Sequence, residues 1–295
     1  MLTEQPNPRS MNIDRLSALE IVQIMNAEDA TVAAVVQAAL PAIARAVEAA
    51  AERLRQGGRL IYVGAGTSGR LGVLDAVECV PTFSTEPDMV QALIAGGMAA
   101  LTQAVEGAED DPDAGRRDLL ALNVTEYDIV VGIAASGRTP YVLGALAAAN
   151  ERGAVTVGIA CNAPSPVLEA AQIAIPAPVG PEVIAGSTRL KAGTAQKMIL
   201  NMLSTATMIS LGKVYGNRMV DVKVTNQKLA DRARRIVSEV VGVDADEAAR
   251  LLALADNQVK TAIVVGLLNI TPEEARARLA QAQGRLGMVI GGKAG

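Results

Sequence analysis

Two short loops contain the residues of this chain whose types and spacing could bind an anion. The candidate ligands are one glycine and four hydroxyl residues: Gly66, Thr67 and Ser68 in residues 64–69, and Ser136 and Thr139 in residues 135–140. Each loop follows an apolar run and precedes a helix-forming segment, so its hydroxyls and free backbone N–H groups lie at a helix N-terminus, where anions bind. Serine and threonine are also preferred N-caps, so either loop alone could be structural. Their repetition favours binding of one compact phosphate.

The first loop also satisfies G-x-G-x-x-G, the pattern of a dinucleotide-binding turn. Spacing does not remove that alternative, because Glu86 stands near the position expected for a ribose contact. Thr67 and Ser68 argue against it, since their hydroxyls suit a terminal phosphate better than a pyrophosphate. The irregular segment 82–87 is also a poor second strand. The residues therefore favour a smaller phosphate ligand.

The chain has no histidine, so acid–base chemistry must come from carboxylates or lysines whose pKa is shifted by their surroundings. On a helix beginning near Ser68, the positions of Leu71, Leu74 and Glu78 form one apolar stripe. We therefore expect Glu78 to face the interior, where burial would raise its pKa and suit it to general acid catalysis. A partly exposed glutamate at a frayed helix end is the alternative.

A second glutamate has a similar setting. A helix over residues 99–109 would place Leu101, Val105 and Glu109 on one face. A structural explanation for Glu109 is that acidic residues are common at helix ends. A functional explanation is that Glu78 and Glu109 form an acid–base pair.

A third candidate anion site lies at the start of a helix predicted over residues 187–212. Ser187 or Thr188 would cap this helix, and Arg189 and Lys191 follow within its first turns. Basic residues near a helix N-terminus oppose the macrodipole unless an anion lies nearby. This placement favours an anion site.

The elements that would position these residues form an α/β pattern. Five short apolar runs, separated by helix-length intervals, predict a doubly wound parallel sheet with strands at residues 60–63, 90–94, 129–134, 155–160 and 173–175. We expect three parts: an N-terminal helical segment with a disordered start (1–57), a phosphate-binding sheet domain (58–215) and a C-terminal helical bundle (240–295). Thr271 and Glu274 predict a capping box in that bundle.

Composition excludes several classes of partner and cofactor. Among 295 residues, the net charge of −4, the absence of tryptophan and five aromatic residues argue against nucleic acid. Without histidine and with two isolated cysteines, Cys79 and Cys161, we expect no metal site. The apolar runs are too short for a membrane span, and no secretory signal is recognisable, so we expect a cytoplasmic protein with reduced thiols.

Taken together, the motifs closely resemble those of the N-acetylmuramic acid 6-phosphate etherase family. The resemblance is collinear over nearly the whole chain and rests on residues 3–8, 64–72, 78–83, 104–110, 136–140, 186–197 and 201–205, although Val80 stands where relatives often have proline. It implies a sugar isomerase (SIS) fold, a five-stranded parallel sheet with flanking N-terminal helices and a small C-terminal helical domain, usually in a homodimer.

The resemblance also implies a reaction. The lactyl ether of N-acetylmuramic acid 6-phosphate is cleaved to N-acetylglucosamine 6-phosphate and D-lactate, with no metal or other cofactor. Glu78 matches the acid that protonates the departing lactate, and Glu109 matches the second catalytic glutamate, acting at C2. Ser68, Ser136, Thr139 and Ser187 would hold the 6-phosphate, with Lys191 and Arg189 as charge partners.

Two other functions fit the same loops. A sugar-phosphate isomerase would need ring opening and a base but no acid for a leaving group. A non-catalytic sugar-phosphate-binding regulatory protein could keep the loops and lose both glutamates. The presence of Glu78 and Glu109 argues against the second.

Overall fold

The computed structural model describes residues 1–222, 224 and 226–291. Its central feature is a five-stranded parallel sheet in the order β2-β1-β3-β4-β5. The strands are β1 Leu60–Gly64, β2 Val90–Ile94, β3 Ile129–Ala134, β4 Val155–Ala160 and β5 Ile173–Pro176, which confirms all five predicted strands. The strand order reverses between β1 and β3, and ligands of such sheets bind outside the carboxyl ends of the strands at that point. The two hydroxyl loops follow these two strands.

The chain divides into two compact units, Met1–Glu78 with Glu86–Thr205, and Cys79–Thr85 with Ala206 onward. The helices of the sheet-containing part are α1 Ala18–Asp29, α2 Val32–Arg55, α3 Gly66–Phe83, α4 Pro112–Ala121, α5 Pro140–Glu151, α6 Pro166–Ala170 and α7 Lys191–Ser210. The N-terminal helical segment thus belongs to the same unit as the sheet.

Helices cover both faces of the sheet. On one face, Ile61 and Val130 share a core with Tyr141 and Val142 of α5. On the other, α2 packs on β3 and β5, and Gly72 of α3 lies so close to β1 that an added Cβ would be 3.0 Å from the Cβ of Tyr62. Burial on both faces explains why the strands read as continuous apolar runs.

The first residues of the chain are ordered, contrary to the expected disordered start. They form three 3₁₀ helices, Leu2–Glu4, Pro8–Ser10 and Ile13–Arg15. The backbone N–H of Leu2 donates to Asn162 Oδ1 at 2.8 Å, and Ser10 Oγ donates to the carbonyl of Val183 at 2.7 Å. These long-range hydrogen bonds hold the segment against the loops that follow the strands, and local sequence patterns do not report them.

By length and composition alone, the stretch Ala18–Arg55 is apolar and long enough to span a membrane. It consists of two helices, α1 and α2. In α2, Val36, Ala46 and Ala50 are fully buried, and the helix packs on the sheet. Its apolar content therefore matches that of a core helix.

The second unit is mainly helical. It contains a hairpin that the sequence did not predict, β6 Val214–Tyr215 and β7 Arg218–Met219. The helices described after this hairpin are α8 Gln227–Val241, α9 Ala245–Leu254, α10 Val259–Leu268, α11 Pro272–Gln281 and α12 Leu286–Val289. Ile236 and Val237 of α8 share a core with Leu251 and Ile263, so this unit is larger than the predicted segment 240–295. The capping box at the start of α11 is confirmed.

Candidate functional site

The first loop joins β1 to α3 in a turn that only glycine allows. A Cβ on Gly64 would lie 2.7 Å from the backbone nitrogen of Gly69, and a Cβ on Gly69 would lie 2.6 Å from Ile94 Cγ1. Gly66 has a φ of +51°. These glycines bring the N-terminus of α3 close to the end of β1. Ser68 is buried in the first turn of α3, and Thr67 is half-buried beside it.

The second loop has the same design at the end of β3. Gly137 has a φ of +70°, and an added Cβ would lie 2.3 Å from Ser165 Oγ. Thr139 is the N-cap of α5 as predicted, but its side chain makes no capping hydrogen bond. Ser136 Oγ accepts from the Arg138 N–H at 3.2 Å. The Thr139 hydroxyl is therefore not used in capping the helix.

The third segment differs from the prediction, because α7 begins at Lys191 and neither Ser187 nor Thr188 caps it. The carboxylate of Glu182, which is fully buried, accepts from the backbone N–H groups of Lys191 and Ala192, both at 2.9 Å. This acidic cap was missed because it comes from nine residues upstream. Ser187 and Thr188 lie half-buried in the turn before α7.

The prediction that Lys191 is a charge partner for phosphate is corrected by its contacts. Its ammonium is buried and lies 2.6 Å from Glu28 Oε2 of α1. Asn7 Nδ2 donates to the same carboxylate oxygen at 2.9 Å. Burial acts to raise the pKa of Glu28, but the hydrogen bonds from Lys191 and Asn7 outweigh it and hold the pKa below its ordinary value of 4.5. Lys191 thus fastens α7 to α1. Arg189 is exposed.

The three segments meet at the carboxyl edge of the sheet. Ser68 Oγ donates to Gln196 Oε1 of α7 at 2.9 Å, and a Cβ on Gly193 would lie 3.4 Å from Thr67 Cγ2. Asn162, which follows β4, donates from Nδ2 to the Ala135 carbonyl at 2.9 Å. The N-terminus of α3 therefore lies beside the first turns of α7, and, because β1 and β3 are neighbours, beside the loop that precedes α5. Backbone N–H groups at the N-terminus of α3 can attract an anion, whereas those of Lys191 and Ala192 on α7 already donate to Glu182.

Burial raises the pKa of two groups in this part of the sheet domain, Asp75 and Cys161. Burial raises the pKa of Asp75 on α3, partly offset by hydrogen bonds from Tyr62 at 2.8 Å and Ser204 at 3.1 Å. Because Ser204 belongs to α7, this carboxyl ties α3 to α7. Burial likewise raises the pKa of the Cys161 thiol to about 12, which leaves it unreactive.

Glu109 borders a cleft next to the first loop. The predicted helix over 99–109 is absent: Gly97–Leu101 and Ala108–Asp110 are separate 3₁₀ helices, and Glu109 is exposed. Its cleft, of about 200 Å³, is also lined by Gly66 and Arg70. Arg70 Nε donates to the Leu101 carbonyl at 3.2 Å and anchors the segment that carries Glu109. Glu109 therefore shares a cleft with Gly66 of the first loop.

Glu78 contradicts the expectation of an inward-facing carboxylate. It lies on the exposed surface of α3, where Leu74 and Val77 are 52% and 61% exposed. Of the three residues of the predicted apolar stripe, Leu71 is half-buried, whereas Leu74 and Glu78 are exposed. Glu78 does not line the cleft beside Glu109.

Comparisons with known proteins identify the family. The chain is 57% identical to N-acetylmuramic acid 6-phosphate etherase of Pectobacterium atrosepticum, covering 97% of this chain and 94% of that protein. It is 54% identical to the enzyme of the same name from Rhodopirellula baltica, covering 98% and 96%. The chain belongs to the N-acetylmuramic acid 6-phosphate etherase family.

Domain-level similarities agree with the etherase family. Residues 42–150 match the N-terminal SIS domain of glucokinase regulatory protein, residues 105–206 the SIS domain, and residues 216–260 the C-terminal lid domain of glucokinase regulatory protein. A phosphoheptose isomerase from Francisella tularensis has the same fold, with a TM-score of 0.51 and 18% identity over 66% of this etherase-family chain and 100% of that chain. The sheet domain is therefore an SIS domain.

Sequence reasoning missed several residues that shape this site. Glu182, Asn162 and Gln196 are buried polar side chains that come from outside the hydroxyl loops. Only their contacts across the fold reveal them. Within the described residues, no group of three or more acidic or cysteine side chains could hold a metal ion.

Proposed function

We infer that this chain cleaves the D-lactyl ether of N-acetylmuramic acid 6-phosphate, giving N-acetylglucosamine 6-phosphate and D-lactate, a step in the recycling of cell-wall sugar. The observation that supports this most strongly is identity of 54–57% to etherases over nearly the full length of both chains. Glu78 and Glu109, the two carboxylates that the family chemistry requires, are both present.

The 6-phosphate binds at the meeting point of the three segments. Gly66, Thr67 and Ser68 offer backbone and hydroxyl donors at the start of α3, and Ser136 and Thr139 offer them at the start of α5. Ser187 and Thr188 face the same edge before α7. Backbone N–H groups and hydroxyls supply the binding, together with the positive ends of the helix dipoles. The buried Lys191 ammonium is already paired with Glu28.

The two carboxylates divide the proton transfers. After the sugar ring opens, the aldehyde acidifies the proton at C2, and Glu109 removes it as a base. The C3–O bond then breaks, and Glu78 donates a proton to the departing lactate oxygen. Water adds to the resulting double bond, with its hydroxyl at C3 and a proton returned to C2. This sequence needs no histidine and no cofactor.

The position of Glu78 supports a homodimer in which each subunit completes its partner's site. Ser68 and Glu78 are ten residues apart on α3, which is about 15 Å along the helix axis. The reacting atoms C2 and C3 lie only a few bonds from the 6-phosphate, which binds at the N-terminal end of α3, whereas Glu78 lies near the other end of α3 and outside the cleft that Glu109 lines. We therefore propose that Glu78 serves the site of a partner subunit. A second copy covering exposed Leu74 and Val77 would bury Glu78 and bring it to the partner's cleft.

We also propose a cytoplasmic location. Cys79 and Cys161 are buried and form no disulfide, as expected in a reducing compartment. The substrate is a small amino-sugar phosphate, and the acidic net charge of −4 does not favour nucleic acid.

The deciding experiment measures D-lactate released by the purified protein from N-acetylmuramic acid 6-phosphate and from the unphosphorylated sugar. We expect release only from the phosphorylated compound. Equal turnover of both would refute the phosphate site. Glu78→Gln is expected to abolish release while the substrate still binds. If the wild type instead interconverts an aldose and a ketose phosphate without releasing lactate, it is an isomerase.

A further inference from the structure

Gln196 on α7 is a buried amide whose oxygen is hydrogen-bonded and whose NH₂ group is not. Its side chain is 1% exposed, and Oε1 accepts from Ser68 Oγ at 2.9 Å. Among the residues that the structure describes, its Nε2 has no hydrogen-bond partner. Leaving a buried donor unpaired is costly, so a group of this kind needs an explanation beyond stability.

We propose that Gln196 is a positioning residue that controls the direction of the Ser68 hydroxyl proton, and thereby makes Ser68 a donor to the substrate phosphate. The inference rests on the proposed phosphate subsite. Gln196 lies behind Ser68 and does not itself touch the substrate.

The argument follows from the number of protons available. A serine hydroxyl has a single proton, and a phosphate oxygen can only accept. In the observed arrangement Ser68 gives that proton to Gln196 Oε1. Ser68 can therefore donate to a phosphate only if Gln196 stops accepting from it.

Rotation of the Gln196 amide by a half-turn achieves this without a change in shape, because the oxygen and the NH₂ group occupy nearly the same volume. Nε2 then donates to Ser68 Oγ, and the hydroxyl proton turns to the phosphate. The donor that is unpaired in the free protein becomes paired. The atom left without a partner is then a carbonyl oxygen, which proteins tolerate better than an unpaired N–H.

Only an amide can serve in both orientations. Methionine of similar length has no strong donor or acceptor, and glutamate can only accept from Ser68. Both Gln196→Met and Gln196→Glu are therefore expected to weaken binding of the phosphate group, but Gln196→Glu also adds a negative charge. Gln196→Met is the cleaner test.

The experiment compares the affinities for N-acetylglucosamine 6-phosphate and for N-acetylglucosamine by calorimetry, in wild type and in Gln196→Met. We expect the affinity for the phosphorylated sugar to fall about tenfold to a hundredfold, the range for loss of one charge-assisted hydrogen bond, with little change for the unphosphorylated sugar. For lactate release, KM should rise by a similar factor while kcat stays within about twofold. In a Ser68→Ala background, Gln196→Met should have no further effect.

Thr207→Val is the matched control. Thr207 also lies on α7, is fully buried and has an unpartnered side-chain oxygen, but it is eleven residues away from Gln196. This variant should leave phosphosugar affinity unchanged, and melting curves should show that all variants are folded.

Unchanged phosphosugar affinity in folded Gln196→Met, or an equal loss in the Ser68→Ala background, would overturn the inference. A wild type that binds the phosphosugar but releases no lactate would refute the proposed reaction while leaving the role of Gln196 intact. Failure of the wild type to bind the phosphosugar would overturn both.

Discussion

Mixing two inactive variants, Glu78→Gln and Glu109→Gln, is expected to restore etherase activity. Glu109 lines the same cleft as Gly66 of its own subunit. Glu78 lies about 15 Å along α3 from Ser68 and is exposed, which is the basis for proposing that it serves the partner's site. In a mixed dimer, one site then has both glutamates and the other has neither. Random exchange makes half of the dimers mixed, so the mixture should regain about one quarter of the wild-type rate.

The assay measures D-lactate release from the mixture after subunit exchange between differently tagged variants, and again from mixed dimers isolated through both tags, which should show about one half of the wild-type rate. The matched control mixes Glu109→Gln with Ser68→Ala. Both changes affect residues of the same subunit's cleft and loop, so each site of this mixed dimer remains defective and its activity should not exceed the mean of the two parent variants. Absence of restoration in the first mixture, with mixed dimers demonstrably formed, would show that Glu78 acts in its own subunit or is not the acid.

Two further predictions concern the support of the site. Lys191→Met leaves the Glu28 carboxylate buried without its ammonium partner and should lower the free energy of unfolding by about 3–5 kcal/mol, measured with urea. Because folding lowers the pKa of Glu28, the stabilisation by its ion pair with Lys191 is present above about pH 4.5 and is lost as the pH falls below that value. A free energy of unfolding of the wild type that stays constant as the pH falls below about 4.5 would contradict this role of the ion pair. Gly137→Ala should cost more stability than Gly180→Ala, because both glycines have positive φ but only Gly137 would place its new Cβ against Ser165; equal losses would refute the clash.

Much of the fold could be predicted from local patterns. The five strands are short apolar runs separated by helix-length segments, and both loop positions follow from hydroxyl and glycine residues directly after two of those runs. The start of α7 could not be predicted, because the side chain that caps it, Glu182, lies nine residues before the helix rather than directly at its N-terminus. The hairpin β6–β7 also escaped prediction because each strand has only two residues.

For the candidate site, the sequence alone determined the residue types: hydroxyls at two helix starts, two glutamates and no histidine. Those properties depend only on which residues are present and on how far apart they are in the sequence, and neither changes when the chain folds. The direction of each side chain was decided only by tertiary structure. The apolar stripe of α3 predicted a buried Glu78, yet Leu74 and Glu78 are exposed. The basic residue Lys191 predicted a bound phosphate, yet its ammonium pairs with the carboxylate of Glu28 in the same chain. Periodicity shows which residues share a face, but only the packing of distant elements decides what that face meets.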